Sequence, residues 1–402
     1  MDTRQFIEEH LNDDVHELAL KHSNAKVDMA LALRQIEARQ LLRKKVPSWS
    51  DNPDLLFPAH LSIEQCSSEA TAMYKASLMK GDSLADLTGG LGVDCHFISQ
   101  NFRHTDYVEP NPELCALAQH NFMSLKDAGD HVICVNNLSA EDYLSHCHPL
   151  DCIFIDPARR DSHGRKTVGI ADCTPNVIEL QELLLGKARR VMVKLSPMLD
   201  ISLALNELKH VEEVHVVAVG NECKELLFIM ESGFDGEPMF TCVNLETPQP
   251  PVSFTQSEER VASLQLAKEV GCYLYEPNAA VMKGGCYRLL AQRYGLLKLH
   301  RNSHLYTSET FIEGFPGRVF EVKDWAVYGK KAKTMLADVE KASIAVRNFP
   351  MSVAELRKSL KIGDGDQVYI FGTTLSDERK VLVKTHKLMR NAECGMRNYF
   401  AR

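Results

Sequence analysis

Apolar residues recur at helical spacing from the start of the chain. Phe6, Ile7 and Leu11 are followed by Val15, Leu18 and Ala19. The stretch from Lys26 to Lys45 is rich in Ala, Leu, Gln and Arg, all good helix formers. Residues 1–45 are therefore predicted to be helical. Pro47, Pro53 and Pro58 then punctuate a linker, PSWSDNPDLLFPAH. Ser67 or Ser68 caps the helix predicted over TAMYKASLM. From Ser83 the pattern changes. SLADLT is a short strand and GVDCHFISQ opens a helix. HTDYVEP is a strand, PELCALAQHNFMSL a helix and HVICVNN a strand. LDCIFIDP follows as a buried strand, then helix VIELQELLL, strand RVMVKLS and helix ISLALNELKH. VEEVHVVAV and ELLFIMES close the series as a hairpin-like pair. This alternation predicts an α/β fold with a doubly wound sheet.

Two smaller α+β units are expected beyond it. One runs over 239–330, with the Pro-rich TPQPPVSF near its start and short strands mixed with helices. The other, 331–402, holds SVAELRKSL as a Ser-capped helix and two β-rich runs, QVYIFGTT and RKVLVKT. The expected division is thus 1–60, 61–238, 239–330 and 331–402.

Composition narrows the class. Hydrophobic residues are 45% and charged residues 25% of the chain, which excludes a disordered or fibrous protein. No apolar run is long enough to cross a membrane. The acidic start, MDTRQFIEEHLNDD, lacks the apolar stretch of a signal peptide, so a cytoplasmic protein is expected. None of the 12 cysteines forms a CxxC pair, and the adjacent ligands of His146-Cys147-His148 do not converge on one ion, so no metal is expected. The net charge of −8 conceals an asymmetry: residues 331–402 carry 14 lysines and arginines against 8 acids. A basic terminal module points to an anionic partner. Arg34, Arg39, Arg43, Lys44 and Lys45 read as a solvated helix face. Trp49 and Trp325 read as core or interface anchors.

The richest chemistry lies in Asp86-Leu-Thr88-Gly89-Gly90-Leu-Gly92-Val-Asp94, a glycine turn directly after a strand and before a helix. Such a turn brings backbone to a ligand at the carboxyl end of a sheet. The spacing is not the G-x-G-x-x-G of a dinucleotide site. Asp86 at the strand end would repel a pyrophosphate but attract an ammonium or sulfonium, which favours S-adenosylmethionine over NAD. Glu109, ending the next strand, is placed to accept from ribose hydroxyls, and Asn137 or Ser139 to meet the adenine. At the end of the fourth strand, Asp156-Pro157-Ala158-Arg159-Arg160 presents a carboxylate on a rigid turn. Asp156 is the candidate to orient a substrate amine or take its proton. Arg159 and Arg160, with Arg165 and Lys166, are candidates for a phosphate clamp. Lys194 and Ser196, after the following strand, are expected to line the same pocket. Asn221 to Glu225, in the last turn, are read as structural.

DLTGGLGVD, VEP and DPAR resemble motifs I, II and IV of class I S-adenosylmethionine-dependent methyltransferases. Motif IV departs from the pattern of amino-methyltransferases, because Ala158 and Arg159 replace its second proline and aromatic. DPAR is also similar to the DPPR of RNA 5-methyluridine methyltransferases, but Lys194-Leu195-Ser196-Pro197 lacks their nucleophilic cysteine. With QCSSEATAMYKA, VKLSPMLD, NECKELLF, YEPNAAVMKGG and VRNFPMSVAELRKSL, the chain resembles a bacterial family of such methyltransferases with a C-terminal THUMP-like domain. The resemblance implies a Rossmann-like catalytic domain at 61–238, a ferredoxin-like domain at 239–330 and a THUMP-like domain at 331–402. It implies methylation of RNA, with tRNA favoured because THUMP domains bind RNA. A small-molecule or protein methyltransferase, and a non-catalytic RNA-binding protein, are the alternatives. By the same resemblance, Gln65 helps to cover the cofactor or base. Asp86, Thr88, Gly89, Gly90, Gly92, Asp94, Glu109, Asn137, Ser139, Asp156 and Pro157 would hold the cofactor, while Asp156, Arg159 and Lys194 would serve catalysis.

Overall fold

A computed structural model describes residues 2–21, 27–58, 60–125, 131–159 and 169–388. The chain divides into two compact units between Met239 and Phe240. In the first, helices α1 (Thr3–Glu9), α2 (Val15–Lys21) and α3 (Met29–Leu42) form where the apolar spacing places them. Phe6, Leu18, Val27, Ala32 and Ile36 make one small core. Ala38 and Leu42, further along α3, enter a second core with Trp49, Phe57, Ala72, Leu91, Val93 and Phe97. The end of α3 thereby packs against the glycine turn and the helix after it, with Trp49 fully buried as an anchor.

One expectation for this region is overturned. Arg39 is not on a solvated face: it is 6% exposed. Its guanidinium donates to the carbonyls of Ser50, Asn52, Pro53 and Leu55 at 2.7–3.3 Å. The proline-punctuated linker cannot pair these carbonyls within regular structure, and a five-donor side chain supplies the missing bonds. The linker contains the short α4 (Pro47–Ser50) and leads through α5 (His60–Gln65) to α6 (Glu69–Ser77), which Ser68 caps.

The sheet follows in the expected order: β1 (Ser83–Asp86), α7 (Val93–Ser99), β2 (His104–Val108), α8 (Pro112–Ser124) and β3 (Val132–Asn136). Then come α9 (Ala140–His146), β4 (Leu150–Ile155), α10 (Val177–Lys187), β5 (Ala188–Leu195), α11 (Ile201–Glu207), β6 (Val211–Val219) and β7 (Glu222–Glu231). Helix α9 is not apparent in the periodicity, because seven residues hold too few turns to set a period. Within this unit the strands lie in the order β6-β7-β5-β4-β1-β2-β3. Strands β1 to β5 are parallel, and β7 runs antiparallel to both its neighbours. The chain winds outward from β1 to β3 and from β4 in the other direction. The reversal between β1 and β4 opens a crevice at the carboxyl ends of the strands.

The second unit holds a seven-stranded sheet. Its strands are β8 (Tyr273–Pro277), β9 (Leu297–Lys298), β10 (Tyr306–Ser308), β11 (Gly317–Val327), β12 (Ser343–Arg347), β13 (Tyr369–Thr374) and β14 (Lys380–Lys387). Their order is β9-β10-β8-β11-β14-β13-β12. Only β12 and β13 pair in parallel; the other described pairs are antiparallel. Helix α12 (Lys330–Met335) and helix α13 (Val353–Leu360) bury Ala332 and Leu356 in one core with Ile344, Ile370 and Leu382. Ser352 and Glu355 close a capping box at the start of α13. Trp325 is half-buried beside the other core, under the Arg379 guanidinium.

Candidate active site

The glycine turn lies at the crevice between β1 and β4. Gly90 and Gly92 have φ of +53° and +87°, which side-chain-bearing residues rarely adopt. Gly89 is fixed for another reason: a Cβ there would sit 2.2 Å from the Tyr107 ring. The Tyr107 hydroxyl donates to the Gly90 carbonyl at 2.6 Å, so the ring both fills and ties the turn. Glu109 accepts from the Gly90 amide at 3.0 Å and from the Asn111 amide at 2.9 Å. Asn137 is exposed, and its amide donates to the carbonyls of Glu109 and Pro110. Ser139 caps α9 through Asp142. Both side chains lie at the rim that their sequence positions suggest, with these polar atoms engaged by the fold. Gln65 is exposed at the end of α5.

Asp86 is buried at the end of β1, and the Thr88 amide at 3.0 Å is its hydrogen-bond donor. Burial pushes its carboxyl up to about 8, with the nearby Asp94, Asp156 and Glu109 adding to the effect. Burial thus disfavours its charge, and a cation beside it would favour it. Thr88 is also the tether to the next strand, because its hydroxyl accepts from the Asp156 amide at 2.7 Å.

The other side of the crevice is a charged cluster. Asp156 follows β4 and pairs with the Lys194 ammonium at the end of β5. Lys194 also donates to the Ser67 hydroxyl at 3.1 Å and lies 3.7 Å from Asp94, in the first turn of α7. Burial disfavours the charge on Lys194, but Asp156, Asp94 and Glu225 outweigh it and raise its pKa. Behind this pair, Lys75 of α6 is 0% exposed. Its ammonium donates to both oxygens of Glu225 at 2.8 Å and lies 3.1 Å from Asp94. Ser67 donates to Asp94 at 2.6 Å and accepts from both lysines. Burial opposes ionisation of Asp94, yet Lys75 and Lys194 hold its carboxyl below the usual range.

The sequence-expected residues Asp86, Thr88, Gly89, Gly90, Gly92, Asp94, Asp156, Pro157 and Lys194 are thus brought to one crevice. Pro157 is buried and holds the turn after Asp156. The backbone of Arg159 pairs with Cys173 in a two-residue antiparallel bridge. Arg160, Arg165 and Lys166 lie outside the described residues. Sequence reasoning missed Lys75, Ser67 and Glu225 as site residues. The signal for Glu225 was an acid directly before the apolar run LLFIM of its strand; for Lys75, a lysine on the buried face of a capped helix.

Elsewhere, Arg347 pairs with the buried Glu276 at 2.6 Å, and Arg318 pairs with the same carboxylate. His104, Asp106 and Cys134 bring possible ligand atoms within 4.8 Å of one another. Asp106 already accepts from Asn136 at 3.0 Å and from the Tyr143 hydroxyl at 2.6 Å, so its oxygens are satisfied without an ion.

Comparison with known proteins agrees with this geometry. A family model for a ferredoxin-like domain matches residues 273–316, and one described as THUMP domain-like matches 317–387. A solved structure from Porphyromonas gingivalis W83, provisionally named a methyltransferase, is 36% identical. The match covers 96% of this chain and 98% of that one, with a TM-score of 0.86. This chain belongs to the class I S-adenosylmethionine-dependent methyltransferases with C-terminal ferredoxin-like and THUMP-like domains. An uncharacterized S-adenosylmethionine-dependent methyltransferase of Mycobacterium tuberculosis is 23% identical over 311 residues, 75% of this chain and 80% of that one. The two C-terminal family models meet at 316/317, between β10 and β11, whereas the composition changes at 330/331.

The methyltransferase's cofactor fits the residues present. Asp86 is an acid buried at the end of β1 beside the glycine turn, and S-adenosylmethionine carries a sulfonium and an ammonium that such an acid attracts. The acids around the turn would repel a phosphate-bearing cofactor instead. No helix among the described residues is long and apolar enough to cross a membrane.

Proposed function

We propose that this methyltransferase modifies a base of RNA, with tRNA as the substrate class. The match of residues 317–387 to a THUMP-like domain carries the reading, because THUMP domains bind RNA in other enzymes. The excess of lysine and arginine over residues 331–402 supports it. On α12, at the start of that module, Lys330, Lys331 and Lys333 stand exposed, a row suited to phosphate contacts.

S-adenosylmethionine, when bound, supplies an electrophilic methyl group. The chain's own residues do the rest. The Asp86 carboxylate pairs with the positive charge of the cofactor, and Glu109 offers its remaining lone pairs to ribose hydroxyls. The target base is turned out of its stack into the crevice, where Asp156 orients it and accepts its proton. Catalysis is chiefly alignment in a crevice whose polar groups are already fixed.

The test uses full-length protein and total tRNA at several salt concentrations. Wild type is expected to bind, with log affinity falling linearly with log salt. Reversing all three lysines (K330E, K331E, K333E) is expected to weaken binding at least ~10-fold and flatten the salt slope by about 1 per lost phosphate contact. Absence of binding by wild type, or an unchanged slope in the variant, contradicts the reading.

A further inference from the structure

The carboxyl ends of β4 and β5 hold a side-by-side carboxylate and ammonium. Asp156 and Lys194 are paired, and both are part exposed at the same opening: their side chains are 35% and 13% accessible. Neither is loosely held. The Asp156 backbone is tied to Thr88, and Pro157 is buried behind it. Lys194 rises from a central strand onto Ser67 and Asp94, which the buried Lys75 and Glu225 hold in turn. Such a pair presents one acceptor and one cationic donor at fixed spacing.

Two kinds of base edge match that pattern in hydrogen bonding alone. One is the lactam edge of guanine or uracil, a ring N–H beside a carbonyl. The other is the amidine edge of adenine or cytosine, an amino group beside a bare ring nitrogen. The ammonium separates them chemically. Donated to a lactam carbonyl, it stabilises the negative charge left when the ring nitrogen loses its proton, and so activates that nitrogen. Donated to an amidine ring nitrogen, it blocks that atom and draws the lone pair of the amino group into the ring. It also repels the cation that methylation of a bare ring nitrogen creates. The absence of a motif IV aromatic, with Ala158 and Arg159 after Asp156-Pro157, agrees with a site not built for exocyclic amines.

We propose that the acceptor is the ring N–H of a lactam base, guanine N1 or uracil N3, with Asp156 as the base and Lys194 as the donor to its neighbouring carbonyl. This rests on the RNA-methylation reading. In the step, the N–H bond breaks and its proton goes to the Asp156 carboxylate. The nitrogen lone pair forms the new N–CH3 bond, and the C–S bond pair returns to sulfur as a neutral thioether. Lys194 keeps its proton throughout, and Asp156 returns its own to solvent.

The experiment is labelled methyl transfer by the full-length protein to total RNA from cells lacking the gene, followed by digestion to nucleosides and mass spectrometry. Label in N1-methylguanosine or N3-methyluridine is expected. Label in a methylated adenosine or cytidine, or on carbon or ribose, overturns the proposal and leaves the RNA reading intact. No label in RNA overturns both. A second arm compares K194M with wild type across pH 6–9. The variant is expected to lose ~100-fold at pH 7 and to recover about tenfold per pH unit, because the acceptor must then shed its proton unaided. Calorimetric affinity for S-adenosylhomocysteine is expected to stay within ~3-fold, since Lys194 faces the acceptor. A loss equal at every pH marks Lys194 as merely structural and contradicts the assignment.

Discussion

The two sides of the crevice are built in opposite ways. The side proposed to hold the cofactor is one strand and turn, Asp86 to Gly92, shaped by glycines that the Tyr107 ring and the Thr88 tether hold in place. Its central acid, Asp86, is buried, and the Thr88 amide donates to its carboxylate. The side proposed to meet the methyl acceptor is charge-rich. Ser67, Lys75, Asp94, Asp156, Lys194 and Glu225 come from separate segments, and their geometry rests on mutual pairing. One side is thus specified by local backbone, the other by tertiary contact. The contrast teaches where each side is vulnerable: the first to a change of protonation, the second to the loss of any one partner.

The sharpest way to break this contrast is Lys75→Met. It leaves Glu225 and Asp94 buried without their shared cation, and removal of one partner from a buried pair costs about 3–5 kcal/mol. Chemical denaturation of K75M is expected to show a loss of that size, and the double variant K75M/E225Q to recover part of it. A change under about 1 kcal/mol would mean that the cluster adds little to the fold.

A smaller effect separates the cofactor side. The Asp86 pKa is raised in the folded protein, so its contribution to stability is complete below the usual carboxylate range and is lost as pH rises through about 8. Melting temperature of the unliganded protein is expected to fall over that window, and less steeply in Asp86→Asn. Binding of a cation restores the carboxylate, so affinity for S-adenosylmethionine is expected to rise from pH 6 to 8 in wild type. Asp86→Asn should match wild type near pH 6 and bind about tenfold more weakly near pH 8. Calorimetry with equal affinities at both pH values would remove Asp86 from cofactor binding.

The same contrast explains what was legible in the sequence. The strand alternation, the glycine turn, Glu109 and the Asp156-Pro157 turn could be read because each depends on neighbours in the chain. Lys194 was legible because it ends a strand whose place in the sheet follows from the winding. Lys75 and Glu225 were not, being 150 residues apart and joined only because α6 packs over a hairpin whose register the sequence leaves open. Arg39 misled for a related reason. On a helical wheel it is another basic residue, and only the carbonyls of the proline linker draw it inward. Helix α9 was too short to announce itself.

The central claim is that Asp156, paired with Lys194, is where the methyl acceptor is activated, apart from the cofactor turn. The most direct test measures Asp156→Ala twice: by labelled methyl transfer to RNA and by calorimetric binding of S-adenosylhomocysteine. Transfer is expected to fall by ~10²- to 10⁴-fold, a far larger change than that in cofactor-product affinity. Transfer retained near the wild-type rate, or lost together with cofactor binding, would contradict the division of the crevice into two sides.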